Sequence, residues 1–338
     1  MKDRLFTIDD ISKYRQELMG IGIIGVLLSH LVTVGEFDTS NIIIRILLIF
    51  KQLVYTQGFL FLSGFGLYFS LSKNAEYFQY LKRRINRLYI PFLVMTIPFF
   101  IIQVVARGES IWCLIGRLTT VSFWIEGNYS GMWYVAISMV LYILFPFYYK
   151  TVFKDGRSNE TTLKVAVGGA FLTILLTYLI RGTDYYKMVE IGVAKVPAFF
   201  FGPIYAFLLS KKDVKLIKAN DCYMAVILLI WLVLSTISHD TEGRSIILKF
   251  VFIPLSCIVI NCLYKFRFLT FLNRLLKWFG KYSLELYVLH LIILKTPELL
   301  PLFSQRELVV TGIMVALSVC VPYSLLTNRI VMCMSCNK

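Results

Sequence analysis

The sequence predicts an all-α membrane protein, a polytopic transmembrane helix bundle of about ten spans with both termini in the cytoplasm. Hydrophobic residues make up 58% of the chain and charged residues only 16%, and the mean hydropathy is +0.72. A soluble domain of 338 residues does not need so much apolar surface. Since the apolar segments leave little chain for a separate soluble unit, we expect residues 1–338 to form a single transmembrane domain.

Most of the predicted spans approach the roughly 20 residues that a helix needs to cross the hydrocarbon core of a bilayer. In chain order they cover residues 18–35, 52–72, 88–106, 132–150, 163–181, 194–210, 221–238, 245–264, 282–297 and 308–326. The segment from Arg107 to Gly131 contains Trp112, Trp124 and Glu126. Because tryptophan favours the headgroup level, this segment predicts an interfacial loop and not a span.

Lysine and arginine are distributed unevenly between the two sides. With the N-terminus inside, 24 of the 35 lysines and arginines fall in inner segments and 11 in outer ones. Positively charged loops stay in the cytoplasm, so this bias predicts both termini inside and a multi-pass protein of the plasma membrane. It also accounts for the net charge of +15, through contact with anionic lipid heads, and we therefore expect no nucleic-acid partner.

The seven cysteines do not indicate a metal site. Most of them fall in or beside apolar segments, and only Cys333 and Cys336 have paired spacing. One pair cannot supply the four ligands of a structural zinc site, so we expect no metal.

One histidine, His30, lies inside the first predicted span. A titratable group within a membrane is costly, and it indicates a functional site by default. It lies about 22 Å along the helix from Arg15, which puts an imidazole in the outer half of the bilayer and a cation at the inner face. An imidazole can take a proton from a hydroxyl and return it. A hydrogen bond between helices would explain His30 equally well.

Three other groups of residues have both a chemical and a structural interpretation. Arg83, Arg84 and Arg87 can clamp a phosphorylated ligand through bidentate contacts, but a basic stop at the membrane face is what topology alone demands. Ser63 precedes Gly64 in the second predicted span, where packing between helices is the default and a substrate role the alternative.

The third group lies in the ninth predicted span. Ser283, Tyr287 and His290 are spaced i, i+4 and i+7 and therefore share one helix face. Such a polar stripe lines a channel or makes hydrogen bonds between helices.

Six short motifs occur in order along the chain, and together they resemble the acyltransferase-3 family of integral membrane proteins, which O-acylate surface polysaccharides and related glycans. The motifs are the opening of the first span that ends at His30, Phe61–Phe65, Arg83–Pro91, Met132–Tyr134 with Tyr142 and Pro146, Lys195–Gly202, and Gly280–His290. The family usually has an arginine eleven residues before the first histidine, where this chain has Met19. Arg15 lies one turn earlier on the same face and can substitute if its side chain reaches the site; otherwise that arginine's role is missing or comes from another helix.

The resemblance implies an O-acyltransferase that draws an acyl group, typically acetyl from acetyl-CoA, on the cytoplasmic side and delivers it to a hydroxyl of a surface polysaccharide or other glycan. His30 would be the general base on that hydroxyl, or would take part in passing the acyl group on. The donor-binding residues implied are Arg15, Arg83, Arg84 and Arg87. The residues implied to contact the acceptor or line the path are Ser63, Trp133, Tyr134, Lys195, Ser283, Tyr287 and His290. Trp133 and Tyr134 would stack on a sugar, and the oligomeric state stays open.

Two other classes of protein fit the same bundle. A transporter or flippase for a lipid-linked or glycan substrate would also need basic inner loops and polar groups near the midplane. A sensory or scaffold protein would need no turnover. The ordered motifs favour the enzyme, as does an intramembrane histidine without buried carboxylates, because proton-coupled transporters usually bury aspartate or glutamate.

Overall fold

The computed structural model describes residues 7–34, 42, 56–73, 76–127, 132–153, 156–211, 253, 256–295, 297, 300 and 302–336. In these ranges the regular secondary structure is helical, without a β-strand, and the predicted all-α class is confirmed. The predicted span 221–238 and most of the predicted span 245–264 lie outside the described residues.

The helices follow the predicted spans closely along the described chain. They are α1 (Ile8–Lys13), α2 (Arg15–Val34), α3 (Gln57–Lys73), α4 (Tyr77–Arg84), α5 (Ile90–Arg107), α6 (Ile111–Leu118), α7 (Val121–Glu126), α8 (Trp133–Val152), α9 (Asn159–Ile180), α10 (Asp184–Val193), α11 (Val196–Lys211), α12 (Ser256–Lys265), α13 (Thr270–Lys281), α14 (Ser283–Lys295) and α15 (Gln305–Cys336).

Within the described residues, six helical stretches are long and apolar enough to cross a membrane. They are Arg15–Val34, Tyr77–Arg107, Trp133–Val152, Asn159–Ile180, Asp184–Lys211 and Gln305–Met334. Helices α3 and α14 coincide with predicted spans but are shorter, at 17 and 13 residues. The predicted interfacial loop contains the two short helices α6 and α7, and the side chain of Trp112 on α6 is exposed.

A π-helical segment, Ile85–Tyr89, joins α4 to α5 in one continuous rod. Its register is visible at the end of the segment, where the Ile90 N–H donates to the carbonyl of Ile85, five residues back. Pro91 follows directly and has no N–H to continue an α-helical ladder. Such segments are rare and occur mostly at functional sites, so this break in the helix marks the surrounding residues for attention.

Glycines bring two pairs of helices into backbone contact. A Cβ atom on Gly64 of α3 would collide with the Phe199 carbonyl of α11, and one on Gly202 of α11 would collide with the Phe61 carbonyl of α3. Gly20 of α2 lies in the same way against the backbone of α13. In lipid, where apolar side chains gain little by meeting one another, this close approach is a main source of helix association. Gly64 thus packs between helices, the default interpretation of this position.

A polar cluster fastens α12 and α13 to the start of α2. The Tyr264 hydroxyl donates to Oε1 of Glu17 at 2.8 Å, and the Lys277 ammonium lies 3.5 Å from the same oxygen. The hydrogen bond with Tyr264 and the Glu17 carboxylate raise the pKa of Lys277. The sequence-based argument that the spans bury no carboxylate is wrong, because Glu17 is 1% exposed and Glu285 on α14 is 7% exposed. That argument therefore does not separate an enzyme from a transporter.

The glycine contact between α3 and α11 yields a stability prediction. We expect Gly202→Val to destabilise the bundle by roughly 1–3 kcal/mol, because the added methyl groups force the two backbones apart. Gly168→Val is the matched control, since a Cβ atom at Gly168 of α9 meets nothing within 4 Å. Thermal unfolding of the detergent-purified variants, followed by fluorescence-detected size exclusion, measures both. Equal midpoints for the two variants would contradict the packing argument.

Candidate functional site

A cavity of about 100 Å³ runs between α2, α3, α8, α14 and the π segment. We call it the central cavity. Eight of the twelve site residues predicted from the sequence line it, although they come from five separate parts of the chain. They are Arg15, Ser63, Arg84, Arg87, Trp133, Tyr134, Ser283 and Tyr287.

One end of the central cavity carries the guanidinium groups of Arg15, Arg84 and Arg87. Among the described residues that line the cavity, none is an aspartate or a glutamate. Arg15 Nη2 donates to the Leu62 carbonyl at 3.3 Å, and Arg84 Nη2 donates to the Ser70 hydroxyl at 2.8 Å. The Nε atoms of Arg15 and Arg84 are buried without a hydrogen-bond partner. Because buried charges are normally paired, this end of the cavity is built for an anion.

The backbone makes room for these arginines at two places. Gly66 on α3 faces Arg15, and a Cβ atom there would lie 2.6 Å from Arg15 Nη2. Arg84 caps the start of the π segment, and Arg87 lies within it. Sequence reasoning missed both features. Their signals in the sequence are Gly66, just after the Phe61–Phe65 motif, and Pro91, which follows the arginines.

Two predictions about the donor site remain, one for Arg15 at the Met19 position and one for Arg83. Arg15 lines the central cavity, and so does Met19, the position at which the family pattern has its arginine. Arg83 is exposed and does not line the cavity.

Tyrosine side chains make the hydrogen bonds in the middle of the central cavity. The hydroxyls of Ser63 and Tyr142 are 2.9 Å apart, and the Tyr134 N–H donates to the Tyr287 hydroxyl at 3.4 Å. Tyr142 also lines the cavity but was not among the predicted site residues, although it belongs to one of the six motifs.

Trp133 lies deeper than a platform for a sugar usually does. It is 7% exposed, and the Lys195 ammonium lies 4.7 Å from the centre of its ring. Lys195 also donates to the carbonyl of Ile191. Lys195 is therefore held against the indole and is not itself among the residues that line the cavity.

The two remaining predicted residues, His30 and His290, contact each other. Nδ1 of His30 lies 2.8 Å from Nε2 of His290, and the ring centroids are 5.0 Å apart. His290 is 1% exposed, and its ring is 6.2 Å from that of Tyr287, which lines the central cavity. The histidine pair thus lies next to the cavity, at the end of α2 opposite to Arg15. Residue type alone gave no sign of this contact, because the two residues are 260 positions apart.

Hydrogen bonding fixes the tautomers of the neutral pair. Nδ1 of His290 lies 2.6 Å from the carbonyl oxygen of Leu286, which can only accept, so this nitrogen carries the proton. Nε2 of His290 is then an acceptor, and it takes the hydrogen bond from Nδ1–H of His30. His30 therefore has its basic lone pair on Nε2, which is the form that a general base requires.

In the described part of the chain, no group of three or more histidine, cysteine, aspartate or glutamate side chains is placed to hold a metal ion.

Comparison with known proteins assigns the chain to a protein family. The family model of the acyltransferase-3 acyltransferase domain matches residues 18–327. No curated protein and no solved structure matches the chain.

Proposed function

Because the chain belongs to the acyltransferase-3 family of membrane acyltransferases, we propose that it moves an acyl group, acetyl in the simplest case, from acyl-CoA to a hydroxyl of a cell-surface or exported glycan. The donor binds from the cytoplasm at the arginine end of the central cavity. The acceptor reacts beside His30, on the far side of the plasma membrane. Acyl-CoA is thus a substrate, and the chain needs no metal for this reaction.

The observation that carries the proposal is the excess of positive charge at one end of the central cavity. Three guanidinium groups converge there, and no acidic residue lines the cavity within the part of the chain that the structure describes. CoA carries several phosphate groups, and guanidinium forms short, charge-assisted and often bidentate hydrogen bonds to phosphate. A substrate without anionic groups would leave these charges uncompensated.

The lining of the central cavity suits the rest of the donor. Guanidinium groups lie at one end of the cavity, and serine and tyrosine hydroxyls with apolar side chains line the rest. The nucleotide of acyl-CoA would stay at the arginine end, and the pantetheine arm would extend past Ser63, Tyr142 and Tyr287. Arg15 and His30 are separated by about 22 Å along α2, so the arm must span most of the bilayer.

The histidine pair supports acyl transfer without further reactants. Nε2 of His30 takes the proton of the acceptor hydroxyl as the hydroxyl oxygen attacks the thioester carbonyl carbon. The carbon–sulfur bond then breaks, and the departing thiolate takes the proton back from the imidazolium. The products are the O-acyl ester and CoA with a free thiol. His290 acts as a positioning residue, since it holds the His30 ring in the required tautomer through Nδ1.

The first prediction concerns donor binding. We expect Arg84→Ala to raise the Kd for CoA by about tenfold or more, because it removes a charge-assisted contact to phosphate. Equilibrium binding of radiolabelled CoA to the full chain in nanodiscs measures the Kd. Pantetheine, which lacks the phosphates, should bind wild type and variant alike.

Arg83→Ala is the matched control for this measurement. Arg83 is the exposed neighbour of Arg84 and contributes the same charge to the same helix, but it lies outside the central cavity. An equal loss of CoA affinity in both variants would mean that a diffuse basic surface attracts the donor, and the cavity would lose its role.

The second prediction concerns His30. We expect His30→Ala to lower acetyl transfer from radiolabelled acetyl-CoA to the glycan fraction of membranes by roughly 10²–10⁴-fold, the usual contribution of a general base. CoA binding should not change. Radiolabel on the protein itself after acid quench would contradict the base role and favour His30 as an acyl carrier. Transfer at the wild-type rate would remove His30 from the chemistry, and movement of an unmodified glycan without acylation would favour a transporter.

The third prediction separates a positioning role of His290 from a merely structural one. We expect His290→Leu to lower kcat by about tenfold or more with the KM for acetyl-CoA unchanged, since a misaligned base loses part of its catalytic contribution. His290→Gln should recover much of the loss, because its amide oxygen can still accept from Nδ1–H of His30. Parallel changes in kcat and KM in both variants would indicate a general packing defect.

A further inference from the structure

A second and larger cavity lies beyond the histidine pair, and we call it the vestibule. Its volume is about 590 Å³. The ends of α2, α5 and α14 border it, together with α6, α7 and their connections. The polar and charged side chains among its described lining residues are Gln103, Arg107, Glu109, Arg117, Glu126, Lys295 and Gln305.

The vestibule begins one helical turn from the imidazoles. Val34, four residues after His30 on α2, lines it, and so does Leu294, four residues after His290 on α14. Residues four apart lie on the same face of a helix, about 6 Å apart along the axis. The vestibule and the central cavity therefore approach the histidine pair from opposite sides, with the arginine end of the central cavity farthest away.

Among the described residues that line the vestibule, three side chains are cationic and two are carboxylates. The Glu109 carboxylate lies 2.6 Å from the Arg117 guanidinium and 3.9 Å from that of Arg107. The Arg117 side chain is 12% exposed, and its Nη1 is buried without a hydrogen-bond partner. The other carboxylate, on Glu126, belongs to an exposed residue.

Lys295 adds a further positive charge to this lining. Its ammonium makes no ion pair with any residue that the structure describes. Its backbone is fixed, because the Lys295 carbonyl accepts hydrogen bonds from Gln103 at 2.6 Å and from Arg107 at 3.3 Å. The end of α14 is thus held at the vestibule with a cation that has no protein counterion in the described chain.

We propose that the vestibule is the acceptor site and that the acceptor carries an acidic group, which Arg117 and Lys295 bind. The assignment as acceptor site rests on the proposed acyltransferase function. The ligand class is a glycan with a carboxylate or a phosphate close to the hydroxyl that receives the acyl group. The anion accepts hydrogen bonds from the buried Nη1 of Arg117 and from the ammonium of Lys295. The neighbouring hydroxyl of the glycan points toward Nε2 of His30.

An acidic group gives the site a way to select its acceptor. A neutral sugar in the same position would leave a buried guanidinium donor and an ammonium unsatisfied, which is penalised more strongly than a missing apolar contact. A charge-assisted hydrogen bond is worth enough to change an affinity by about tenfold or more. The acid would also fix the orientation of the sugar, and thereby which hydroxyl reaches His30.

A native cysteine reports occupancy of the vestibule without any acyl transfer. Cys113 on α6 lines the vestibule and is half-buried. Membrane vesicles with the full chain are treated from the outer side with an impermeant maleimide, and the modification rate of Cys113 is read by mass spectrometry. The probes are a glucose–glucuronate disaccharide, glucose 6-phosphate and the neutral disaccharide cellobiose.

We expect the acidic probes to protect Cys113 at concentrations about tenfold lower than cellobiose. Lys295→Met should abolish this preference, whereas Lys295→Arg should keep it. Lys187→Met is the control, because Lys187 is an exposed lysine paired with Asp184 outside the vestibule. The stronger of the two acidic probes identifies carboxylate or phosphate as the recognised group.

Equal protection by all three sugars, or protection that Lys295→Met leaves intact, would overturn the inference. Its failure is distinguishable from failure of the proposed function. Acetyl transfer to glycan with no acid preference at Cys113 would refute the vestibule assignment alone. Acid-dependent protection of Cys113 in a chain that neither binds CoA nor transfers acetyl would uphold the anionic-glycan site and refute the enzyme.

Discussion

The structure depends on three positive charges that the fold holds together at a cavity whose described lining residues carry no negative charge. Burying a guanidinium group costs several kcal/mol unless it is paired; Arg15 and Arg84 are partly buried, and the exposed Arg87 adds a repelling charge beside them. Other contacts must supply the free energy that keeps this end of the bundle intact. The backbone contacts at Gly64 and Gly202 provide part of it. Close backbone packing between two helices thus lies beside the charges that oppose folding most directly.

The arrangement of the two cavities follows from the same bundle. The central cavity approaches the histidine pair from the arginine end, and the vestibule approaches it from the opposite end. A donor and an acceptor that never share a compartment can meet only at such a point. Chemistry across a bilayer requires a reacting group that both sides can reach while the bundle stays closed between them. His30 on α2 and His290 on α14 meet this requirement without any long loop within the described chain.

The sequence was most informative about single residues and least informative about their partners. Hydropathy predicted most helices, and the motifs predicted eight residues that line one cavity. The contact between His30 and His290 could not be predicted, because no periodicity relates residues on two helices 260 positions apart. Glu17 is buried against Tyr264 and Lys277, and these contacts too join residues far apart in the sequence. The π segment could not be predicted, because helix propensities are scales for α-helices. Pro91 was the one signal in the sequence that pointed to it. Arg83 and Arg84 are adjacent and identical in type, and only the helix geometry shows that Arg84 lines the cavity while Arg83 does not.

The hydrogen bond from His290 to the Leu286 carbonyl has a consequence for the energetics of the cell. Two adjacent imidazoles in a membrane are a potential proton wire, which would dissipate the transmembrane proton gradient. A relay through His290 would have to pass its Nδ1 proton to a peptide carbonyl, which is far too weak a base to hold it. In the proposed mechanism, a proton on His30 would therefore not pass on through His290. The reaction would move a proton beside this pair without turning the pair into a proton path across the membrane.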